Sequence, residues 1–485
     1  MNPLKKLFKQ TAIYGLATVL PRVLSVILVR LYTTVFENAS GYGEYVNIYS
    51  WIAIFNVLLA YGMETAFFRF YNKKTNKDEV VSTSLISLVG TSILFLVLAL
   101  IFKDSLADLT GINVDYIKFT AYILVLDALV IIPFALLRAY ERPLKYALLK
   151  IISVTINLGL NLFFLVLLPK IITEIGTGFL DSLYKPNFEI PYIFISNIIA
   201  SGFILLFFIP TYLKNNYVFS FPLWKEMLRY SAPILIAGIA FTINEVVDKI
   251  LLTNMVSESV SGIYGACYKL ALFMTLFGTA FRMGVEPFFF SHAKTENPQK
   301  TYAAITNYFV ILGSVILLTV VVFSEVLAIL LLGNKTYWEA LDIVPIVLLA
   351  SFCLGIYHNL SVWYKITDRT KYGAYISSIG AILTLVINFA LIPKIGYMAS
   401  AWGTLIAYGT MMSLSYYFGR KHYPIPYNMR KICFYAGISV LFSVLSFYVF
   451  ERNLITGSIL LLVFLGLIYK LEGDKLKSIF LKRAN

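Results

Sequence analysis

Seven basic side chains of this 485-residue chain, and several acidic ones, sit inside long apolar runs. Inserting an ionisable group into a bilayer costs about 2.5–3.5 kcal/mol, so each is expected to face an interior and find a partner. Arg22 and Arg30 share the first run; eight residues place them roughly 80° apart around a helix, with no acid beside them. Asp127 and Lys150 lie in the fourth and fifth runs. Glu245, Asp248 and Lys249 share the seventh, Lys269, Arg282 and Glu286 the eighth, and His358 falls in the tenth. Cations in such places bind anions, and the planar fork of arginine matches phosphate oxygens. Carboxylates there can hold a coupling proton or sodium ion, a role open to Asp127, Glu245 and Asp248. One-turn spacing also lets Glu245 pair with Lys249 and Arg282 with Glu286. Glu64 and Glu286, near the ends of their runs, are placed to form a gate with Arg69 and Arg282.

Other chemistry is poorly served. Cys267, Cys353 and Cys433 make no CxxC and no disulfide framework, and His292, His358 and His422 lack metal-ligand spacing. A Walker A motif is absent. The longest loop on the less basic side, 169–189, offers only Glu174, Asp181 and Glu189 as acids, too few for an acid–base constellation. Neither metal, cofactor nor nucleic acid is expected.

The elements that carry these charges are fourteen apolar stretches, each near the 20 or so residues that cross a bilayer core. They span 10–35, 42–68, 80–102, 114–138, 146–168, 190–212, 228–253, 260–289, 302–323, 340–364, 372–392, 398–418, 432–450 and 454–470. Mean hydropathy is +0.78, and only 14% of residues are charged, which excludes a soluble domain. Lys5, Lys6 and Lys9 precede a first run too long for a signal peptide, which reads as a retained helix. Sorting the 40 basic residues by side places 27 on one side and 6 on the other, with 7 inside helices. The loops are short, so the rich side, with both termini, is expected to be cytoplasmic.

The chain also repeats. A shift of 222 positions lays Tyr42-Gly43 on Tyr264-Gly265, Gly62 on Gly284, Glu64 on Glu286 and Phe67-Phe68 on Phe289-Phe290. Arg142–Tyr146 echoes Arg369–Tyr372, and Leu168–Ile171 echoes Ile392–Ile395. The expected fold is an all-α polytopic membrane protein with two like-oriented six-helix lobes, 1–215 and 216–425, and two further helices in 426–485. Residues 214–224 would be the hinge between the lobes. Pro21, Pro133, Pro233 and Pro345 fall within helices and are expected to kink them. Pro393 is expected to end the eleventh helix and Gly396 to make the turn, with Ala399, Gly403 and Ala407 forming a stripe for close packing.

Certain segments then become recognisable in order: Leu228–Pro233, Asp248-Lys249, Gly262-Ile263-Tyr264-Gly265-Ala266-Cys267-Tyr268-Lys269, and Asn388-Phe389-Ala390-Leu391-Ile392-Pro393-Lys394-Ile395-Gly396. The set resembles the polysaccharide transporter branch of the multidrug/oligosaccharidyl-lipid/polysaccharide exporter superfamily, which includes O-antigen and capsule repeat-unit flippases. The resemblance covers essentially the whole chain. Where that family usually shows Gly-Ala-Ala after the turn, this chain has Ala399-Ser400-Ala401, which keeps the residues small.

The resemblance implies a flippase that moves undecaprenyl-diphosphate-linked oligosaccharide units across the bacterial inner membrane by alternating access, for lipopolysaccharide or other cell-surface polysaccharide. The pyrophosphate would then be met by Arg22, Arg30, Lys249 and Lys269, with the lipid tail left in the bilayer along the last two helices. Envelope assembly proteins are the partners such a role implies. Rival readings are a small-molecule antiporter of the same superfamily, a membrane glycosyltransferase or polymerase, and a non-transporting assembly partner.

Overall fold

Apolar chain in lipid must satisfy its backbone within each segment, and helices do so. The computed structural model describes residues 3–175, 178–214, 217–292 and 297–481; some side chains within helices, that of Glu286 among them, lie outside the described set. Among the described residues there are helices and no strand. Fourteen long helices answer the fourteen expected spans: α1 (Pro3–Val35), α2 (Ala39–Lys73), α3 (Lys77–Ile101), α4 (Val114–Ala139), α5 (Pro143–Glu174), α6 (Glu189–Leu213), α7 (Phe221–Met255), α8 (Glu258–Val285), α9 (Pro298–Val322), α10 (Lys335–Ile366), α11 (Lys371–Ile395), α12 (Tyr397–His422), α13 (Met429–Val449) and α14 (Leu454–Gly473). Eleven of them are long and apolar enough to cross a membrane; α1, α7 and α12 are the long helices at the other three spans. On α11 the exposed Tyr375, Ile379, Ile382, Val386 and Phe389 recur at helical spacing, a stripe suited to lipid contact.

By packing, the chain divides into two units. The first comprises Met1–Ala266, Gly333–Tyr337 and Thr370–Gly403, and the second Cys267–Leu332, Trp338–Arg369 and Thr404–Asn485. These boundaries differ from those of the sequence repeat, because α7 and α11 pack on each other within the first unit. In the first unit Met63, Phe67, Phe70, Val80, Leu88, Ile132 and Met227 share a core. In the second, Ile311, Leu318, Tyr435 and Phe464 join α9, α13 and α14.

Breaks in the helices have local causes. Tyr61 and Gly62 interrupt α2 with left-handed backbone (φ 32° and 69°). A Cβ on Gly62 would stand 3.0 Å from the Ser231 carbonyl oxygen, so α7 runs close beside it. In α4 the break at Val130 precedes Pro133, which has no N–H to give the Leu129 carbonyl. The Tyr212 hydroxyl of α6 donates to that oxygen instead, at 2.5 Å. Pro21 and Pro233 lie inside unbroken helices, and Pro345 opens the regular part of α10 rather than kinking its middle. Pro393 does not end α11. The helix runs on to Ile395 and stops at Gly396, whose φ of 57° suits glycine. Ala399 is buried, and a Cβ on Gly403 would press on Asn388 and Ile387 of α11. The expected hinge is tethered to α3: Val218 N–H donates to Ser82 Oγ (2.7 Å), Ser220 N–H to Thr83 Oγ1 (3.2 Å) and Trp224 Nε1–H to Ser87 Oγ (2.7 Å).

Candidate functional site

Most of the charges singled out above lie in the first unit, where three arrangements form. In one, α7 buries an ion pair. Lys249 Nζ donates to both Asp248 carboxylate oxygens, at 2.9 and 3.0 Å, and to the Glu245 backbone carbonyl at 2.8 Å. The Tyr264 hydroxyl of α8 donates to Asp248 Oδ2 at 2.7 Å. Asp248 is 1% exposed and Lys249 8%. Adjacent residues on a helix point 100° apart, yet the long lysine stem folds back to reach its neighbour. In this conformation the Lys249 ammonium is thus committed to a carboxylate within the protein, while Glu245 lies on the exposed side of α7.

The second arrangement surrounds Asp127 on α4. Ser201 Oγ of α6 donates to its Oδ1 at 3.0 Å, and the Asn56 side chain reaches the same carboxylate from α2. Asn197, one turn before Ser201, donates to the Tyr49 hydroxyl at 2.9 Å. Lys150 of α5 is near enough to act on Asp127 electrostatically, and its ammonium stands 4.2 Å from the centre of the Phe134 ring. A carboxylate amid hydroxyls, amides and a lysine is a group able to exchange a proton or hold a small cation.

Third, Glu64 forms its ion pair with Arg138 of α4. The expected partner, Arg69, lies over the Tyr230 ring at 4.1 Å. The gate pair read from sequence is therefore corrected: Arg69 is drawn to an aromatic face of α7, while Arg138 reaches Glu64 across the Phe68 ring, 4.7 Å away.

Arg22 and Arg30 are exposed on α1, and Lys269 is exposed in the second unit, at a 3-10 turn Lys269–Ala271 within α8. Arg282 is half-buried one further stretch along α8. The Glu286 side chain is outside the described residues, and its pairing with Arg282 with it.

Two features of the first unit are not legible from the ionisable residues. A buried polar ladder joins α7, α11 and α12 in the first unit. Thr384 Oγ1 donates to Asn244 Oδ1 (2.8 Å), Asn244 Nδ2 to the Ser377 carbonyl (3.1 Å), and Ser400 Oγ to Asn388 Oδ1 (2.6 Å). Small polar residues at four-residue spacing in an apolar run were the available signal. The other is a backbone contact between the starts of α2 and α8. A Cβ on Gly43 would overlap the Glu258 carbonyl oxygen, and one on Gly262 the Ala39 carbonyl oxygen. Ser40 Oγ donates to Glu258 Oε2 beside it, at 2.7 Å. In the second unit, an apolar cavity of about 270 Å³ is walled by α9, α10, α12 and α13, with Phe352, Cys353, Tyr416, Ile432 and Cys433 among its lining. Among the described residues, no group of His, Cys, Asp and Glu is placed to hold a metal ion.

The family model described as "Polysaccharide biosynthesis protein" matches residues 7–289, more than half of the chain. The chain belongs to this family. A second model, MatE, matches residues 233–390, which places this polysaccharide biosynthesis protein among the transporters of the multidrug/oligosaccharidyl-lipid/polysaccharide exporter superfamily. Solved structures share its fold. A lipid II flippase, MurJ, in an inward closed conformation is 15% identical, with TM-score 0.74, over 95% of this chain and 99% of that one. An inward-facing multidrug resistance transporter of the MATE family is 13% identical, with TM-score 0.63, over 85% and 94%. The Vibrio cholerae MATE transporter VcmN, solved as a point mutant, is 15% identical, with TM-score 0.58, over 87% and 98%. No curated protein matches the chain significantly. As a family member with this fold, the polysaccharide biosynthesis protein is a multi-pass membrane transporter.

Proposed function

We propose that this transporter flips lipid-linked oligosaccharide units, joined to their lipid by a diphosphate, across a bacterial cytoplasmic membrane. Polysaccharide biosynthesis membership and likeness along its length to a lipid II flippase support the reading. One observation carries it: Arg22 and Arg30 are exposed on a 33-residue helix in a chain made for lipid. A guanidinium exposed within such a helix needs water or an anion against it. Arg22, Arg30 and Lys269 would meet the diphosphate, and Lys249 would join them only by releasing Asp248. The six-helix lobes at 1–215 and 216–425 would alternate access, with both termini cytoplasmic. With the interior negative, moving one negative charge outward gains about 2.3 kcal/mol per 100 mV.

The Asp127 network supports a second reading, an ion-coupled antiporter, consistent with the MatE match. Deleting the gene and analysing lipid-linked intermediates separates the two. Accumulation of diphosphate-linked oligosaccharide on the cytoplasmic leaflet supports the flippase. Unchanged intermediates together with new drug sensitivity overturn it and favour the antiporter.

A further inference from the structure

Within the second unit, α8 and α10 enclose a small pocket lined by Arg282, Val285, Phe289, His358, Asn359, Val362 and Lys365. His358 and Lys365 are seven residues apart, two turns of α10, so they lie in one row of the helix. Arg282 faces them from α8, and both it and Lys365 are near enough to His358 to act on it electrostatically. Among the described residues that line the pocket, none is acidic. Val285, Phe289 and Val362 supply apolar walls, against which charges attract and repel more strongly than in water. Two cationic side chains and an imidazole thus converge on one small space.

We propose that this pocket is a phosphate-binding subsite, taking the diphosphate of the lipid-linked cargo; it rests on the flippase reading for the source of the anion. An anion in the pocket would meet both Arg282 and Lys365. Arginine presents two parallel N–H donors to phosphate oxygens, lysine a movable point charge, and the imidazole a further N–H. The space now enclosed is about 10 Å³, room for roughly one water. Entry therefore requires the long side chains of Arg282 and Lys365 to part, which flexible stems allow. Both residues lie toward the ends of α8 and α10 that the charge sorting makes cytoplasmic, the side on which such cargo is built under the flippase reading.

The test is binding of inorganic pyrophosphate to the full chain in phosphatidylcholine nanodiscs, measured by calorimetry. Arg282→Gln and Lys365→Gln should each weaken binding by about tenfold or more, the loss of a charge-assisted hydrogen bond. Lys103→Gln, an equal change of charge elsewhere, should leave it unaltered. Arg282→Lys keeps the charge, should retain most of the affinity, and reports whether a failed Arg282→Gln is merely unfolded. Wild-type affinity in Lys365→Gln and in a folded Arg282→Gln overturns the subsite; where Arg282→Gln does not fold, wild-type affinity in Lys365→Gln alone overturns it. Undecaprenyl diphosphate added to the nanodisc should compete with pyrophosphate. Absence of competition, with pyrophosphate still bound through Arg282 and Lys365, overturns the lipid-linked source in favour of a soluble anion. Unchanged lipid-linked intermediates in the deletion strain, with the variants behaving as expected, remove the flippase reading and leave the subsite.

Discussion

The Tyr264 hydroxyl lies 2.7 Å from Oδ2 of Asp248, a carboxylate whose two oxygens also take the Lys249 ammonium. Tyr264 belongs to the motif that opens α8 and Asp248-Lys249 to the one that closes α7, so two recognisable segments meet in one buried pair. Removing one member of such a pair leaves an uncompensated charge, which costs about 3–5 kcal/mol. Lys249→Met should therefore lower stability by that amount in denaturant unfolding of the purified protein. Asp248→Asn with Lys249→Met should recover part of it. A Lys249→Met chain as stable as wild type would mean that the pair is not buried as described.

Glu64 and Arg138 make the contrasting case. Their side chains are 43% and 34% exposed, and exposed pairs contribute between about 0 and 1 kcal/mol. Glu64→Gln should change unfolding stability by less than about 1 kcal/mol. If transport in cells drops sharply while stability holds, the pair acts in gating. If both hold, it is a surface ornament of the fold.

Gly43 and Gly262 let the starts of α2 and α8 touch through backbone alone. In a chain without its three natural cysteines, Ser40→Cys with Glu258→Cys should cross-link readily on oxidation. Adding Gly43→Val should abolish the cross-link, because its side chain occupies the place of the Glu258 carbonyl. An undiminished cross-link would show that the close approach is not present in the membrane.

Asp127 has hydrogen-bonding partners in Ser201 and Asn56. If it carries a coupling ion, Asp127→Asn should flatten the dependence of transport on the proton or sodium gradient while leaving cargo binding within about twofold. Equal gradient dependence in mutant and wild type would exclude that role. Ser201→Ala, which removes one hydrogen bond to the carboxylate, should give a smaller change of the same sign, worth about 1 kcal/mol or less.

What the sequence determined by itself is the set of helices and their kind. Each run of apolar residues meets lipid on its own account, so its existence depends on local composition; a long helix stands at each of the fourteen places, and eleven of them are long and apolar enough to cross a membrane. The turn at Gly396 was legible for the same reason, since a left-handed backbone is a property of one residue. Only the tertiary structure decided who meets whom. Arg69 was the nearer cation to Glu64 along the chain, yet the packing of α2 on α4 brings Arg138 to it and leaves Arg69 on Tyr230. Tyr212 finds the carbonyl left over by Pro133, and Thr384 finds Asn244, from helices far off in sequence. His358, scattered among histidines with no motif, joins Arg282 and Lys365 because α10 lies against α8. Hydropathy is a sum over neighbours in sequence, whereas an ion pair or a pocket is a coincidence of neighbours in space, and the chain must fold before the second can be read.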